Sequence, residues 1–158
     1  VTAQAQLMKT KKDAEDALAS ATSYWKAAKA EYDDRYSGFT ASYADYTKYN
    51  AEFVVKKCCM VVGDQFDCES ALNFAKSDFA SAGSFFAGAY TDMVSAEGAM
   101  LKAADYIGKM DWNSSCNWST TCIQKSESSF AQAKNGSQKS VTAYSWVVEA
   151  LKGLAKYP

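Results

Sequence analysis

The stretch SDFASAGSFFAGAYTDM, residues 77–93, alternates large and very small apolar residues at a fixed interval. Phe79, Phe86 and Met93 are seven residues apart, and Ala82 and Ala89 form a second series between them. A seven-residue repeat of two apolar positions is the pattern by which α-helices pack side by side. The stretch therefore predicts a helix that packs closely against its neighbours, with large side chains in some core layers and Ala in the others.

The same pattern extends well beyond the quoted stretch. Its large positions are Leu72, Phe79, Phe86, Met93, Met100 and Ile107, and its small positions are Ala75, Ala82, Ala89, Ala96 and Ala103. A second large series, near the N-terminus, contains Leu18, Trp25, Tyr32, Phe39, Tyr46 and Phe53. A third contains Ile123, Phe130, Tyr144 and Leu151, with Ala133, Val147 and Leu154 as its companion positions. Three such series predict three long helices.

The predicted fold class is all-α, as an elongated antiparallel bundle of three long helices in a single domain of 158 residues. The predicted helices cover about residues 3–57, 69–110 and 123–156. Asp67 is the expected N-cap of the second helix. Thr121 and Gln124 match the capping box that begins a helix, which places the start of the third helix near residue 123.

One alternative concerns Ser37 and Gly38, the most plausible break within the first helix. Gly often ends a helix, so a break there would give a four-helix bundle. The seven-residue series nevertheless keeps its phase across this pair, whereas a turn would usually shift it. We therefore favour one continuous helix.

Two connecting loops are predicted, at residues 58–68 and 111–122, and they contain all five cysteines. In an antiparallel bundle of three long helices these loops lie at opposite ends. A disulfide requires Cα atoms within about 7 Å, so any bridge must form within one loop.

The cysteine pairs follow from this arrangement. We predict a Cys116–Cys122 disulfide and a second one between Cys68 and either Cys58 or Cys59. One thiol is then left over, either buried or available to join two copies of the chain into a homo-oligomer.

Three N-x-S/T sequons occur, at Asn113, Asn117 and Asn135. Such sequons are acceptors for N-linked glycans in secreted proteins. Together with the clustered cysteines they favour a glycosylated, disulfide-bonded protein that is extracellular or on the cell surface.

Composition excludes several functional classes. The chain has 17 basic and 18 acidic residues, a net charge of −1, which argues against nucleic-acid binding. It contains no His, so Ser-His-Asp catalysis and most zinc sites are impossible. We expect no enzyme, no cofactor and no metal. Charged residues interrupt every long apolar run, so we expect no membrane span.

The candidate partner-binding residues are Met60, Val61, Val62 and Phe66 in the first loop, and Trp112 and Trp118 in the second. Apolar and aromatic residues in a loop either fold back onto the bundle or contact a partner. For the first loop, Leu154 and Tyr157 are the residues that could cover it.

The leading functional hypothesis is a non-catalytic protein that binds a protein or surface partner. The alternatives are a structural, self-assembling coiled-coil protein cross-linked by disulfides, and a carrier of an apolar small molecule or pigment. The Ala layers argue against the carrier, because they close the space that a ligand would occupy.

Overall fold

Helices account for nearly all of residues 9–158, which a computed structural model describes. The three long helices are α1 (Lys11–Lys56), α2 (Val62–Gly108) and α3 (Trp112–Leu154), and a short 3-10 helix at Lys57–Cys59 follows α1. This described part contains no β-strand. The predicted all-α class and the three packed helices are therefore confirmed.

Helix α1 is continuous through Ser37 and Gly38, so the four-helix alternative is wrong. Its N-terminus is a reciprocal cap. The Asp13 backbone N–H donates to Thr10 Oγ1, and the Thr10 N–H donates to Asp13 Oδ2, both at 3.1 Å. The predicted start near residue 3 lies outside the described residues, and Lys9 and Thr10 precede the helix.

Helix α2 begins at Val62 rather than near residue 69, so the predicted loop at 58–68 is reduced to a tight turn. Asp67 lies inside the helix and is not its N-cap. Met60 explains the early start. It lies seven residues after Phe53, continues the large series of α1, and is only 7% exposed. Because the Met60 side chain is buried in the core, the chain turns at this residue and α2 can begin at Val62.

The turn between α2 and α3 is equally short. The Asp111 N–H donates to the Tyr106 carbonyl and the Met110 N–H to the Ile107 carbonyl, both at 3.0 Å. Met110 has a φ of 60°, the left-handed conformation that this pair of hydrogen bonds requires at a helix C-terminus.

Helix α3 therefore begins at Trp112, and the predicted loop at 111–122 is wrong. Asp111 is the actual N-cap, because its Oδ1 accepts a hydrogen bond from the Ser114 N–H at 3.0 Å. The Thr121–Gln124 capping box does not form. Thr121 Oγ1 instead donates to the Asn117 carbonyl inside the helix, at 3.2 Å.

The chain divides into two compact units, each with a segment of all three helices. Unit 1 comprises the described residues up to Asp33 together with Ala87–Gln132, and unit 2 comprises Asp34–Phe86 and Ala133–Pro158. In both units α2 runs antiparallel to its neighbours, as predicted. In unit 1, Ser129 of α3 contacts Ala89 of α2 while Ser115 contacts Ala103.

The two cores differ in side-chain size. The central cluster of unit 1 is small, with Ala21, Ala96, Ala99 and Cys122, and half-buried Trp25, Met100, Trp118 and Ile123 pack around it. The cluster of unit 2 includes Tyr46, Phe53, Met60, Leu72, Phe79, Val147 and Leu154. Aromatic rings of unit 2 pack closely, and the Phe39 and Phe86 centroids are 5.1 Å apart.

The Ala layers of α2 are buried as predicted, since Ala75, Ala82 and Ala89 are all 0% exposed. In α3 the buried face differs from the predicted one. Its buried residues recur at steps of four and three and are Ser115, Ser119, Cys122, Ser126, Ser129, Ala133, Gly136, Ser140, Ala143, Val147, Ala150 and Leu154. We call this set the small-residue stripe.

The predicted large series of α3 flanks this stripe. Ile123, Tyr144 and Leu151 are half-buried, and Phe130 is exposed. Of the predicted companion positions, Ala133, Val147 and Leu154 are buried as expected. The sequence pattern was misleading here because Ser is a polar residue and was not counted among the core positions, whereas in α3 it is a small core residue.

Candidate functional site

Large apolar side chains are exposed in the turn between α1 and α2 and at the helix ends on both sides of it. Val54, Val55, Val61, Val62 and Phe66 are each between 55% and 81% exposed. We call these five residues the turn surface. Val62 and Phe66 are one helical turn apart and share a face of α2. The predicted binding residues Val61, Val62 and Phe66 therefore lie within one short region of unit 2.

Met60 does not belong to this surface. Its side chain packs in the unit 2 core, so its assignment as a partner-binding residue is corrected to a structural one. The seven-residue spacing from Phe53 was the sequence signal that could have revealed this role.

The C-terminus fixes the turn through Tyr157. The Tyr157 hydroxyl accepts a hydrogen bond from the Val61 N–H at 3.0 Å and donates to Asp64 Oδ2 at 2.6 Å. Lys156 Nζ lies 3.3 Å from Asp64 Oδ1. Tyr157 thus restrains the backbone at Val61, while the side chain of Val61 remains 67% exposed.

These contacts shift the ionisation of both partners. Hydrogen bonds from Tyr157 and Lys156 lower the pKa of Asp64, since they stabilise its charged form. The bond to the Asp64 carboxylate raises the pKa of the Tyr157 hydroxyl. The hydrogen bond between the Tyr157 hydroxyl and the Asp64 carboxylate is therefore maintained at neutral pH.

A groove of about 400 Å³ runs between α2 and α3 in the same unit. Its lining residues include Asp64, Asp67, Cys68, Phe74, Trp146, Glu149, Lys152 and Lys156. Phe74 stacks on Trp146 with ring centroids 4.8 Å apart, although Phe74 is still 55% exposed. The groove thus presents an aromatic wall beside charges of both signs.

The two predicted tryptophans lie in unit 1. Trp118 is half-buried and packs against the unit 1 core, with Lys102 Nζ 4.2 Å from its ring centroid. A cation over an indole face is an attractive contact in its own right. Trp112 is half-buried in the first turn of α3. Trp118 thus has a packing role within unit 1, and partner binding at Trp112 and Trp118 stays a prediction.

All five cysteines are free thiols, so neither predicted disulfide is formed. Cys116 and Cys122 lie on one continuous helix, where six residues correspond to a rise of about 9 Å, beyond disulfide reach. The buried Cys68 faces the Ala150 carbonyl, with Sγ 3.7 Å from the oxygen. The predicted pairings placed the cysteines in two loops, whereas Cys68 lies in α2 and Cys116 and Cys122 lie in α3.

The thiols differ sharply in accessibility. Cys68 and Cys122 are buried, and burial raises the pKa of both. Cys116 is half-buried, with a pKa also raised by burial. Cys58 and Cys59 are exposed, and their Sγ atoms are 3.6 Å apart.

The sequon residues Asn113, Asn117 and Asn135 are exposed, and all three lie on α3. The hydroxyl residues of the first two sequons, Ser115 and Ser119, are buried in the small-residue stripe. These serines therefore have a packing role that is independent of glycosylation, and glycosylation stays a prediction.

Residues 9–158 contain no group of three or more Cys, Asp or Glu side chains arranged to hold a metal ion. In the same range, no helix combines the length and apolar character that a membrane crossing requires. Comparisons of the chain with protein-family models, curated protein sequences and solved structures found no match.

Proposed function

We propose that the protein is a non-catalytic binding protein that contacts a macromolecular partner through the turn surface. The observation that carries this proposal is the exposure of five large apolar side chains in and beside the turn between α1 and α2, at whose Val61 the backbone N–H bonds to Tyr157. Met60 anchors the turn in the core, and Tyr157 and Asp64 hold it from outside.

A rigid apolar surface is well suited to binding. Covering an exposed Val or Phe side chain contributes roughly 1.5–3 kcal/mol through removal of apolar area from water. Because the backbone of the turn is already ordered, binding loses little conformational entropy. The groove with Phe74 and Trp146 adds aromatic area of the kind that is enriched at interfaces.

We also propose an extracellular or cell-surface location, supported by the three exposed sequon residues Asn113, Asn117 and Asn135. The structural, self-assembling alternative predicts that the partner is a second copy of this chain. The experiment below distinguishes the two.

The test replaces Val62 and Phe66 with Ser in one double variant and uses the protein as bait in extracts of its natural surroundings. Val141→Ser is the matched control, because Val141 is 69% exposed on α3, away from the turn in sequence. The free energy of unfolding of each variant shows whether the fold is preserved.

We expect one partner to be retained by the unsubstituted protein and by Val141→Ser, and to be lost with the double variant at unchanged stability. Equal retention by all three proteins contradicts the assignment of the turn surface. A retained partner that proves to be the same chain, with a concentration-dependent mass in sedimentation, supports self-assembly instead.

A further inference from the structure

Cys58 and Cys59 form the most accessible nucleophilic cluster among the described residues. They occupy the last two positions of the 3-10 helix Lys57–Cys59, are both exposed, and have Sγ atoms 3.6 Å apart. The other thiols are less available. Cys68 and Cys122 are buried, and Cys116 is half-buried.

We propose that Cys58 and Cys59 are a thiol-exchange site that forms a reversible vicinal disulfide on reaction with a small-molecule disulfide. This site goes beyond the proposed function and does not depend on it. The proposal rests on two adjacent exposed sulfurs already in contact, in a turn outside the long helices.

The reaction proceeds in two exchange steps. The thiolate of one cysteine attacks a sulfur of the small disulfide, which gives a mixed disulfide and releases one small thiolate. The second cysteine then attacks the protein sulfur of that mixed disulfide, which forms the Cys58–Cys59 bond and releases the other small thiolate. The two protons lost by the cysteines end on the two released thiols, and the small disulfide takes up both electrons.

The sequence of steps agrees with the electrostatics of the pair. The hydrogen bond with Cys58 raises the pKa of Cys59, because it stabilises the protonated thiol, and charge repulsion from the neighbouring Cys58 sulfur raises it further. When Cys58 reacts first, its sulfur enters a neutral mixed disulfide and this repulsion is removed. Cys59 then ionises more readily, beside the sulfur that it attacks.

The product is a labile bond rather than a structural staple. Adjacent Cα atoms across a trans peptide are about 3.8 Å apart, whereas disulfides usually span about 4.4–6.8 Å between Cα atoms. The sulfurs must also approach from 3.6 Å to about 2 Å. Strained, exposed disulfides are the ones that are readily reduced, so the reaction runs in both directions.

The test incubates the folded full chain with oxidised glutathione and measures intact mass and the number of reactive thiols. We expect a main product that has lost two hydrogen atoms, with two fewer thiols, and peptide mapping should place the bond between Cys58 and Cys59. Excess reduced glutathione should restore both thiols.

Three single variants sharpen the test. Cys58→Ser and Cys59→Ser should each stop at the mixed disulfide, with a glutathionyl group attached, because the second nucleophile is missing. Cys116→Ser should still form the vicinal bond. The proposal is overturned if the unsubstituted protein ends as a stable glutathione adduct or a cross-linked dimer. It is also overturned if the loss of two hydrogens persists in Cys58→Ser.

Discussion

Ser129 Oγ on α3 donates a hydrogen bond to the carbonyl oxygen of Ala89 on α2, at 2.7 Å. Ser115 and the Ala103 carbonyl repeat this relationship at 2.8 Å. A hydroxyl on so short a side chain reaches the backbone of a neighbouring helix only where the two helices pack very closely. The Ala layers of α2 and the small-residue stripe of α3 therefore work together. Small residues on both sides permit close approach, and close approach lets the buried hydroxyls of Ser115 and Ser129 bond to carbonyls of α2.

This contact predicts that added volume at Ser129 is costly. Ser129→Val should lower the free energy of unfolding by about 1–3 kcal/mol, because the extra methyl groups meet a neighbouring helix that cannot withdraw easily. Urea unfolding measures the change. Ser145→Val is the matched control, since Ser145 is exposed and bonds only within α3. A similar loss in both variants would mean that helix propensity, not packing, is the cause.

The actual and the expected N-cap of α3 can be compared directly. Asp111→Ala should lower the free energy of unfolding by about 1 kcal/mol, because the Ser114 N–H loses its acceptor at the helix start. Thr121→Ala should change it by less than about 0.5 kcal/mol, since Thr121 lies inside the helix. Urea unfolding measures both changes. A larger loss of stability for Thr121→Ala than for Asp111→Ala would indicate that α3 starts near residue 123.

Met110 offers a stabilising substitution. Its φ of 60° is unfavourable for a residue with a Cβ, and its side chain is 76% exposed, so little packing depends on it. Met110→Gly should raise the free energy of unfolding by about 1 kcal/mol through relief of this strain. Met110→Ala, which keeps a Cβ, should give no such gain. Thermal unfolding of the two variants separates backbone strain from loss of the side chain.

The Tyr157–Asp64 hydrogen bond predicts a pH-dependent effect. The pKa of Asp64 is lowered in the folded state, so its contribution to stability is present above about pH 4 and is lost as pH falls through the folded-state pKa. The pKa of Tyr157 is raised, so its contribution is present below about pH 10 and is lost as pH rises through the folded-state pKa.

Tyr157→Phe should therefore lower the melting temperature most at neutral pH and progressively less in acid. The part of the difference that comes from the Asp64 carboxylate should be lost once Asp64 is protonated, whereas the part that comes from the Val61 N–H bond remains. Tyr24→Phe, at an exposed tyrosine of α1, provides the control. A Tyr157→Phe difference that stays constant down to pH 2 would show that the hydrogen bond to the Asp64 carboxylate is not its source.

The sequence predicted most of α1 and α2 because their layers combine large apolar residues with Ala, a pattern that periodicity detects directly. Phe79 and Ala82 are buried as expected. The α3 face was missed where its core residues are Ser, because a hydroxyl reads as solvent-facing unless a neighbouring carbonyl is known to lie within reach. The same limit applies to Ser129: its partner Ala89 is 40 residues away in sequence.

The candidate site was predicted in part. Val61, Val62 and Phe66 are exposed, whereas Met60 is core because it continues the series that ends at Phe53. The turn itself depends on Tyr157, whose contacts with the turn span more than ninety residues of sequence. Contacts between residues so far apart in sequence depend on how the helices pack. The spacing of apolar residues within one helix does not specify that packing. The Cys58–Cys59 contact was overlooked because long loops favoured pairing with Cys68.

Close approach of α2 and α3 is tested most directly at Gly136. A Cβ added there would lie 2.9 Å from two carbons of the Phe86 ring and 3.3 Å from the Ala82 carbonyl oxygen. Phe86 is 1% exposed within an aromatic cluster, so it cannot easily move aside. Gly98 of α2 provides the contrast, since a Cβ there meets no atom within 4 Å.

The decisive measurement is the urea-unfolding free energy of Gly136→Ala beside that of Gly98→Ala. Both substitutions gain up to about 1 kcal/mol of helix propensity. We predict opposite signs: Gly98→Ala stabilises the protein, whereas Gly136→Ala destabilises it because overpacking costs about 1–3 kcal/mol. Stabilisation by both substitutions would contradict the close packing of α2 and α3.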